Sequence, residues 1–285
     1  MSLKILVDSA SDLTPEEATK LNVTLLPMRV HFGDKDYLDK IDITNKEFFE
    51  KLIESDTLPT TSQISPYDYE EALKEAMGPE DEALILTLSS RLSGCYQSAC
   101  LAASEYDGRV KVFDTLNVCV AEMLFVLEAV RLRDEGKSVD EIIESLSGDI
   151  KKVKLVAMLD TLEYLKKGGR INSATALAGS LLGIKPVITI YDGEVALLGK
   201  ARGSKNIHNK LVELISASGG IDFSRPFRFV YSGTDRTLLD KYIADSLHLL
   251  PSGVDPYNPE YITGIGCVIG THVGPGAVGV AFFAR

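Results

Sequence analysis

Three short apolar runs in the first half of the chain, at residues 4–8, 83–88 and 110–114, alternate with helical patterns that carry clear start signals. That alternation restricts the region to βαβ units, whose strands pair in parallel because each crossover returns the chain to the same end of the sheet. Thr14-Pro15-Glu16-Glu17 and Ser65-Pro66-Tyr67-Asp68 place a hydroxyl at the N-cap, proline at the first helical position and an acid at the third. Ser138-Val139-Asp140-Glu141 repeats the capping-box pattern. Around Gly33-Asp34, residues 27–42 read as short β pieces in a hairpin-like excursion that reaches toward the second half.

The second half has a different pattern. Residues 185–191 and 194–200 flank Asp192-Gly193, a two-residue hairpin signal that calls for positive φ at both central positions and hence antiparallel pairing. Amphipathic helices are expected near residues 204–217 and 235–250, around a strand at 227–231. Two glycine-rich apolar strands, at 262–269 and 277–283, are expected to finish the chain. The expected fold class is therefore α/β, with an N-terminal parallel-sheet α/β/α domain at 1–154 and a C-terminal α+β domain with an antiparallel sheet at 155–285. The proline-containing segment 251–259 is the most linker-like stretch.

A chain of 285 residues, 45% hydrophobic, builds its own core without staples. Its 41 acidic residues against 30 basic ones give a net charge of −11, which disfavours nucleic acid and anionic membrane surfaces as partners. Cys95, Cys100, Cys119 and Cys267 form no C-x-x-C pair and lie near no histidine at finger spacing, so neither a metal site nor a disulfide framework is expected. The apolar stretch at 117–127 is interrupted by Glu122 and too short to span a bilayer. A cytoplasmic protein with no cofactor is the expectation.

The chemistry-bearing segment is Leu88-Ser89-Ser90-Arg91-Leu92-Ser93-Gly94, which leads from a buried strand through a polar loop into a helix. Ser93 and the N–H groups around Gly94 are expected at the carboxyl edge of the sheet, where open α/β sheets bind ligands and helix starts attract anions. A serine there also serves as an ordinary helix cap, and the two roles are compatible. Thr60-Thr61-Ser62-Gln63 is read as a second hydroxyl-rich loop. Asp8-Ser9-Ala10-Ser11-Asp12 follows the first strand but lacks the glycines of a dinucleotide fingerprint, and no P-loop occurs. Gly264-x-Gly266 is read inside a strand and discounted. Gly168 is expected as the cap after a short helix, with Lys166 and Lys167 in its last turn. The same reading leaves Arg170 and Arg202 over, a surface charge being the default for Arg202, while an isolated histidine such as His272 is more often structural than catalytic. His272 is expected in a tight turn, Gly270-Thr271-His272-Val273-Gly274-Pro275-Gly276, between two strands.

These segments together resemble the DegV family of bacterial fatty-acid-binding proteins, which includes the lipid-carrying subunits of fatty acid kinase. The resemblance runs nearly end to end and rests on Val7-Asp8-Ser9, Thr61-Ser62-Gln63, Ser89-Ser90-x-Leu92-Ser93-Gly94, Gly183-Ile184-Lys185-Pro186 and the glycine-rich segment around His272. It implies a long-chain, palmitate-like fatty acid buried between or beneath the two domains, with its carboxyl group on Thr61 and Ser93, beside Ser62, Gly94 and His272. It further implies that Arg170, Arg202 and His272 lie near the exposed head, where an ATP-dependent kinase subunit delivers phosphate, and that the chain alone has no catalytic activity. Cys95 departs from the threonine common after Ser-Gly in the family, and Arg202 is followed by Gly203 rather than threonine. Two other readings compete: a serine hydrolase with Ser93 as nucleophile and His272 as base, although no Gly-x-Ser-x-Gly is present, and a phosphometabolite-binding protein using Arg170 and Arg202.

Overall fold

A computed structural model describes residues 2–171, 184–202 and 204–285. Strands β1 (Leu3–Asp8) and β2 (Val23–Leu26) flank helix α1 (Pro15–Lys20); β3 (Arg29–Phe32), β4 (Lys35–Leu38), α2 (Asn45–Glu54), β5 (Thr60–Ser62) and α3 (Pro66–Ala76) follow. The chain continues through β6 (Glu82–Thr87), α4 (Cys95–Ala103), β7 (Val110–Asp114), α5 (Val120–Asp134), α6 (Val139–Asp149), β8 (Val153–Met158) and α7 (Glu163–Lys167). It closes with β9 (Ile184–Tyr191), β10 (Glu194–Arg202), α8 (Ser204–Ala217), β11 (Phe227–Tyr231), α9 (Thr237–Ser246), β12 (Ile262–Gly264), α10 (Cys267–Val273) and β13 (Val278–Phe283).

The first-half runs form a parallel sheet of order β2-β1-β6-β7, with Ile5 opposite both Val23 and Leu84. Its central strands β1 and β6 carry continuous apolar stretches, residues 5–7 and 83–86, because both faces are covered there. The strand order reverses at β1 and β6, so their carboxyl ends open the crevice where such sheets take ligands. The expected helix starts are present: Thr14 and Ser138 make full capping boxes, and the Ser65 hydroxyl accepts the Asp68 N–H. The excursion is a real hairpin, β3 with β4, and β5 pairs on its other side, Val30 lying opposite Thr61.

The second sheet has the order β10-β9-β8-β13-β11-β12. All its pairings are antiparallel except β11 with β12, which is parallel. Side chains alternate strictly across it: Leu155 and Ala157 of β8 join the core shared with α5, whereas Val156 and Met158 face the core built with α8 and α9. Asp192 (φ 47°) and Gly193 (φ 81°) make the β9–β10 turn as the dipeptide requires. Helix α5 touches β1 and β6 on one side and β8, β11 and β13 on the other, which explains why nearly all of it is buried and its apolar residues form no stripe. The expected division at residue 154 falls within β8.

Several expectations are corrected. The late strand at 262–269 is only three residues long, and Gly266 then caps α10, so the discounted glycines do open a helix. His272 lies on that helix and not in a turn; the turn begins at Gly274, which has positive φ. Thr60–Ser62 is a strand, recruited by pairing with β3, which no local signal reveals. Gly169 (φ 72°) rather than Gly168 takes the left-handed position after α7. The small-residue stretch 173–183 and Gly203 lie outside the described residues. Among the described residues, no helix is long and apolar enough to cross a membrane.

Helix α10 crosses back to pack against α2, β3 and β5. It fits only because residue 270 has no side chain: a Cβ there would lie 2.6 Å from Phe48 Cε1 and 2.9 Å from Phe49 Cζ. Gly270→Ala should therefore destabilise the protein by about 1–3 kcal/mol through overpacking; an unchanged midpoint in urea would contradict this seating of α10.

Candidate functional site

The crevice at the β1 and β6 ends continues into a cleft between the two sheets. Its body is apolar: Leu155, Ala157 and Leu159 from β8 and the residue after it, Ile188 and Ile190 from β9, Val195 from β10, and Val268, Ile269 and Val273 from α10. Among the described lining residues, Thr61, Ser62, Gln63, Ser93, Arg170 and His272 carry the polar side chains, apart from the Cys119 thiol.

Contacts connect these polar groups. Thr61 Oγ1 lies 3.0 Å from His272 Nε2. Arg170 donates from Nε to the Leu92 carbonyl at 3.2 Å and from Nη1 to the Gly168 carbonyl at 2.5 Å, tying the loop that carries Ser93 to the end of α7. Ser93 Oγ accepts the Cys95 N–H at 3.3 Å and donates to Cys95 Sγ, also at 3.3 Å, so it supports the α4 start while facing the cleft. Gly94, the N-cap of α4, is overlain by Gln63: a Cβ on Gly94 would sit 1.9 Å from Gln63 Oε1, and Gln63 Nε2 donates to Ser98 Oγ at 2.9 Å. Ser62 lines the cleft and its hydroxyl meets His31 Nε2 at 3.1 Å.

Burial, and then the neighbouring Arg170 charge, push the His272 pKa down to about 4, so the ring is neutral at physiological pH. His272 Nδ1 is buried against Gly168 without a hydrogen-bond partner. An orphaned acceptor there is cheaper than an orphaned N–H, which assigns the proton to Nε2, donating to Thr61 Oγ1. The Thr61 hydroxyl hydrogen is then available to an acceptor in the cleft. Burial raises the Cys95 thiol to about 12, which makes it a hydrogen-bonding group and not a nucleophile.

The structure thus gathers Thr61, Ser62, Ser93, Arg170 and His272 on one wall region, with Gly94 directly behind Ser93. It does not bring Arg202 to that wall: Arg202 is exposed and pairs with Ile184 at the end of the hairpin opposite the Asp192–Gly193 turn. A serine-hydrolase arrangement is not formed, since Nε2 of His272 engages Thr61 and Ser93 engages Cys95. Among the described residues, no group of three or more His, Cys, Asp or Glu side chains could hold a metal ion. Gln63 escaped the sequence reading as a site residue because its role depends on Gly94, 31 positions away.

Residues 2–285 match the family described as "Uncharacterised protein, DegV family". The chain belongs to the DegV family. A DegV domain-containing protein of Deinococcus radiodurans is 37% identical over 99% of this chain and 98% of its own length. Among solved structures, a DegV family protein from Thermus thermophilus, described for its fatty acid binding, superposes with a TM-score of 0.88 at 35% identity, covering 100% of both chains. A stearic-acid-binding protein from Eubacterium ventriosum does so with a TM-score of 0.86 at 27% identity, covering 99% of this chain and 97% of its own. Both structures share the fold of this chain, whose parallel sheet accompanies a mixed, largely antiparallel one.

The neutral His272 carries a consequence for acid stability. An unfolded imidazole takes up its proton near pH 6.5, whereas the folded one does so only near 4. Stability from this group is therefore complete above pH 6.5 and is lost as the pH falls toward 4. Between pH 7 and 4, lipid-free His272→Gln should lose about 3 kcal/mol less than wild type in urea unfolding. Parallel acid limbs in the two proteins would refute a neutral buried ring.

Proposed function

We propose that the cleft holds a long-chain fatty acid, with its tail between the lobes 1–154 and 155–285 and its carboxyl group at Thr61 and Ser93. The observation that carries this reading is the division of the cleft lining into an apolar body and a small group of hydroxyl, amide, imidazole and guanidinium side chains, with Thr61 bonded to His272. Burying about 14 methylenes at about 0.8 kcal/mol each contributes on the order of 11 kcal/mol before ordering costs, so the tail supplies affinity. A carboxylate leaving water needs donors; the Thr61 and Ser93 hydroxyls and the Arg170 charge provide them and set orientation. The relatives described as fatty-acid-binding support a fatty acid as the ligand.

The bound acid is then presented to an ATP-dependent kinase subunit. A carboxylate oxygen attacks the γ-phosphorus of ATP, ADP leaves, and the acyl phosphate stays in the cleft with its tail buried. Arg170 and His272 stand at the reacting end, and exposed Arg202 belongs to the surface that meets the kinase. The absence of a P-loop or dinucleotide fingerprint in the sequence supports leaving nucleotide binding to the partner. The four free cysteines suit a cytoplasmic protein.

Solvent extraction of the purified protein followed by mass spectrometry should release a long-chain fatty acid. A clean protein that also takes up no added palmitate would overturn the proposal. Ser93→Ala, which removes one hydrogen bond to a charged group, should release lipid roughly tenfold faster. Arg202→Ala should keep its lipid yet form acyl phosphate more slowly with the kinase subunit; wild-type rates in that variant would remove Arg202 from the partner surface.

A further inference from the structure

The turn that follows β1 does not itself line the cleft, yet its polar groups hold segments that do. Asp8 Oδ2 accepts the Leu88 N–H at 2.9 Å, Ser9 Oγ accepts the Met28 N–H at 3.1 Å, and the Ala10 carbonyl accepts the Cys119 N–H at 2.9 Å. Leu88, Met28 and Cys119 are all cleft residues. Asp12 Oδ1 accepts the Gly266 N–H at 2.7 Å, immediately before the helix that carries His272. Asp39 Oδ1 adds a bond from the Cys267 N–H at 3.1 Å.

We infer that the turn from Asp8 to Asp12 is the positioning element of the head site, with Asp12 setting the start of α10 so that His272 meets Thr61. Helix α10 has seven residues, and its first N–H groups have no partner within the helix. Without the two carboxylates its start is free to slip, and a slip of one residue turns each side chain by roughly 100° about the axis. His272 cannot tolerate that, because its ring is held between Thr61 and the bare Cα of Gly168. The register is also guarded sterically: a Cβ on Gly266 would fall 2.5 Å from Lys40 Nζ and 2.9 Å from Asp12 Oδ1. Lys40 Nζ itself lies 3.5 Å from Asp12 Oδ1, both side chains buried, and its charge opposes the burial that raises the Asp12 carboxyl above the usual range. Asp12, Lys40 and Cys119 all hold positive φ without being glycine, a concentration of backbone strain that surrounding bonds must maintain.

The inference rests on the proposed lipid site only for what the head site binds; its test uses lipid-free protein and so stands apart from that reading. The His272 ring carbons are followed by NMR against pH in wild type, Asp12→Ala and Asp12→Asn. Wild type should titrate near pH 4. Asp12→Ala, with α10 released and the ring more exposed, should titrate about 1–2 units higher, toward the ordinary histidine value. Asp12→Asn keeps the accepting oxygen and should stay close to wild type. A wild-type curve in Asp12→Ala would overturn the inference, as would equal shifts in both variants. Should Asp12→Ala not fold, amide hydrogen exchange in the wild type decides. Gly266 and Cys267 protected within about tenfold of Val156 at the centre of β8 support the clamp, and exchange at unprotected rates overturns it.

Discussion

The hydrogen bond between Thr61 and His272 joins residues 211 positions apart and draws the polar end of an otherwise apolar cleft together. It requires the strand β5, laid against the first-half hairpin, and a helix from the end of the chain to meet at bonding distance. Everything that seats α10 serves that meeting: the absent side chain at Gly270, the bare Cα of Gly168, and the carboxylates of Asp12 and Asp39 at the helix start. Because the ring is buried beside Arg170, it stays neutral and acts as a donor to Thr61, without adding a second positive charge.

The head region also manages negative charge in a chain of net charge −11. Asp8 and Glu122 are fully buried near Cys95, two residues from Ser93. Burial raises the Asp8 carboxyl to about 7 against the two backbone bonds that favour its charge, and it raises Glu122 well above the usual range, with both oxygens lacking partners. Neutral Glu122 would repel the carboxylate of the proposed ligand far less than a charged acid, and Asp8 is charged only about half the time near neutral pH. The hairpin β9–β10 closes the other side, where Ser89 Oγ donates to the Gly193 carbonyl at 2.7 Å and docks the turn onto the loop that leads to Ser93. Two sheets of different construction are thereby held around one cleft by α5 between them and by a loop-to-turn bond at its edge.

Much of this architecture was legible in local pattern. Parallel strands, capped helix starts and the Asp192-Gly193 hairpin follow from hydrophobic period and turn chemistry, which act over a few residues. Ser93 was legible as well, because a strand, a polar loop and a helix start in succession place a hydroxyl at a sheet edge. Thr60–Ser62 looked like a loop because three polar residues become a strand only when β3 lies beside them. Residues 267–269 looked like strand and 270–273 like the start of a turn, because an apolar, glycine-containing run suits either state, and only burial against α2 and capping by distant carboxylates select a helix.

By itself, then, the sequence determined the parallel half, the antiparallel hairpin, the family and the polar residue types available to the cleft. Tertiary structure alone decided which of those residues share a wall. It paired Thr61 with His272, laid Gln63 across Gly94, left Arg202 on the exposed end of a strand, and gave the turn after β1 its task at the start of α10. The physical reason is range: period and turn preference are set by neighbours in the chain, whereas a hydrogen bond between residues hundreds of positions apart depends on packing that no local pattern encodes.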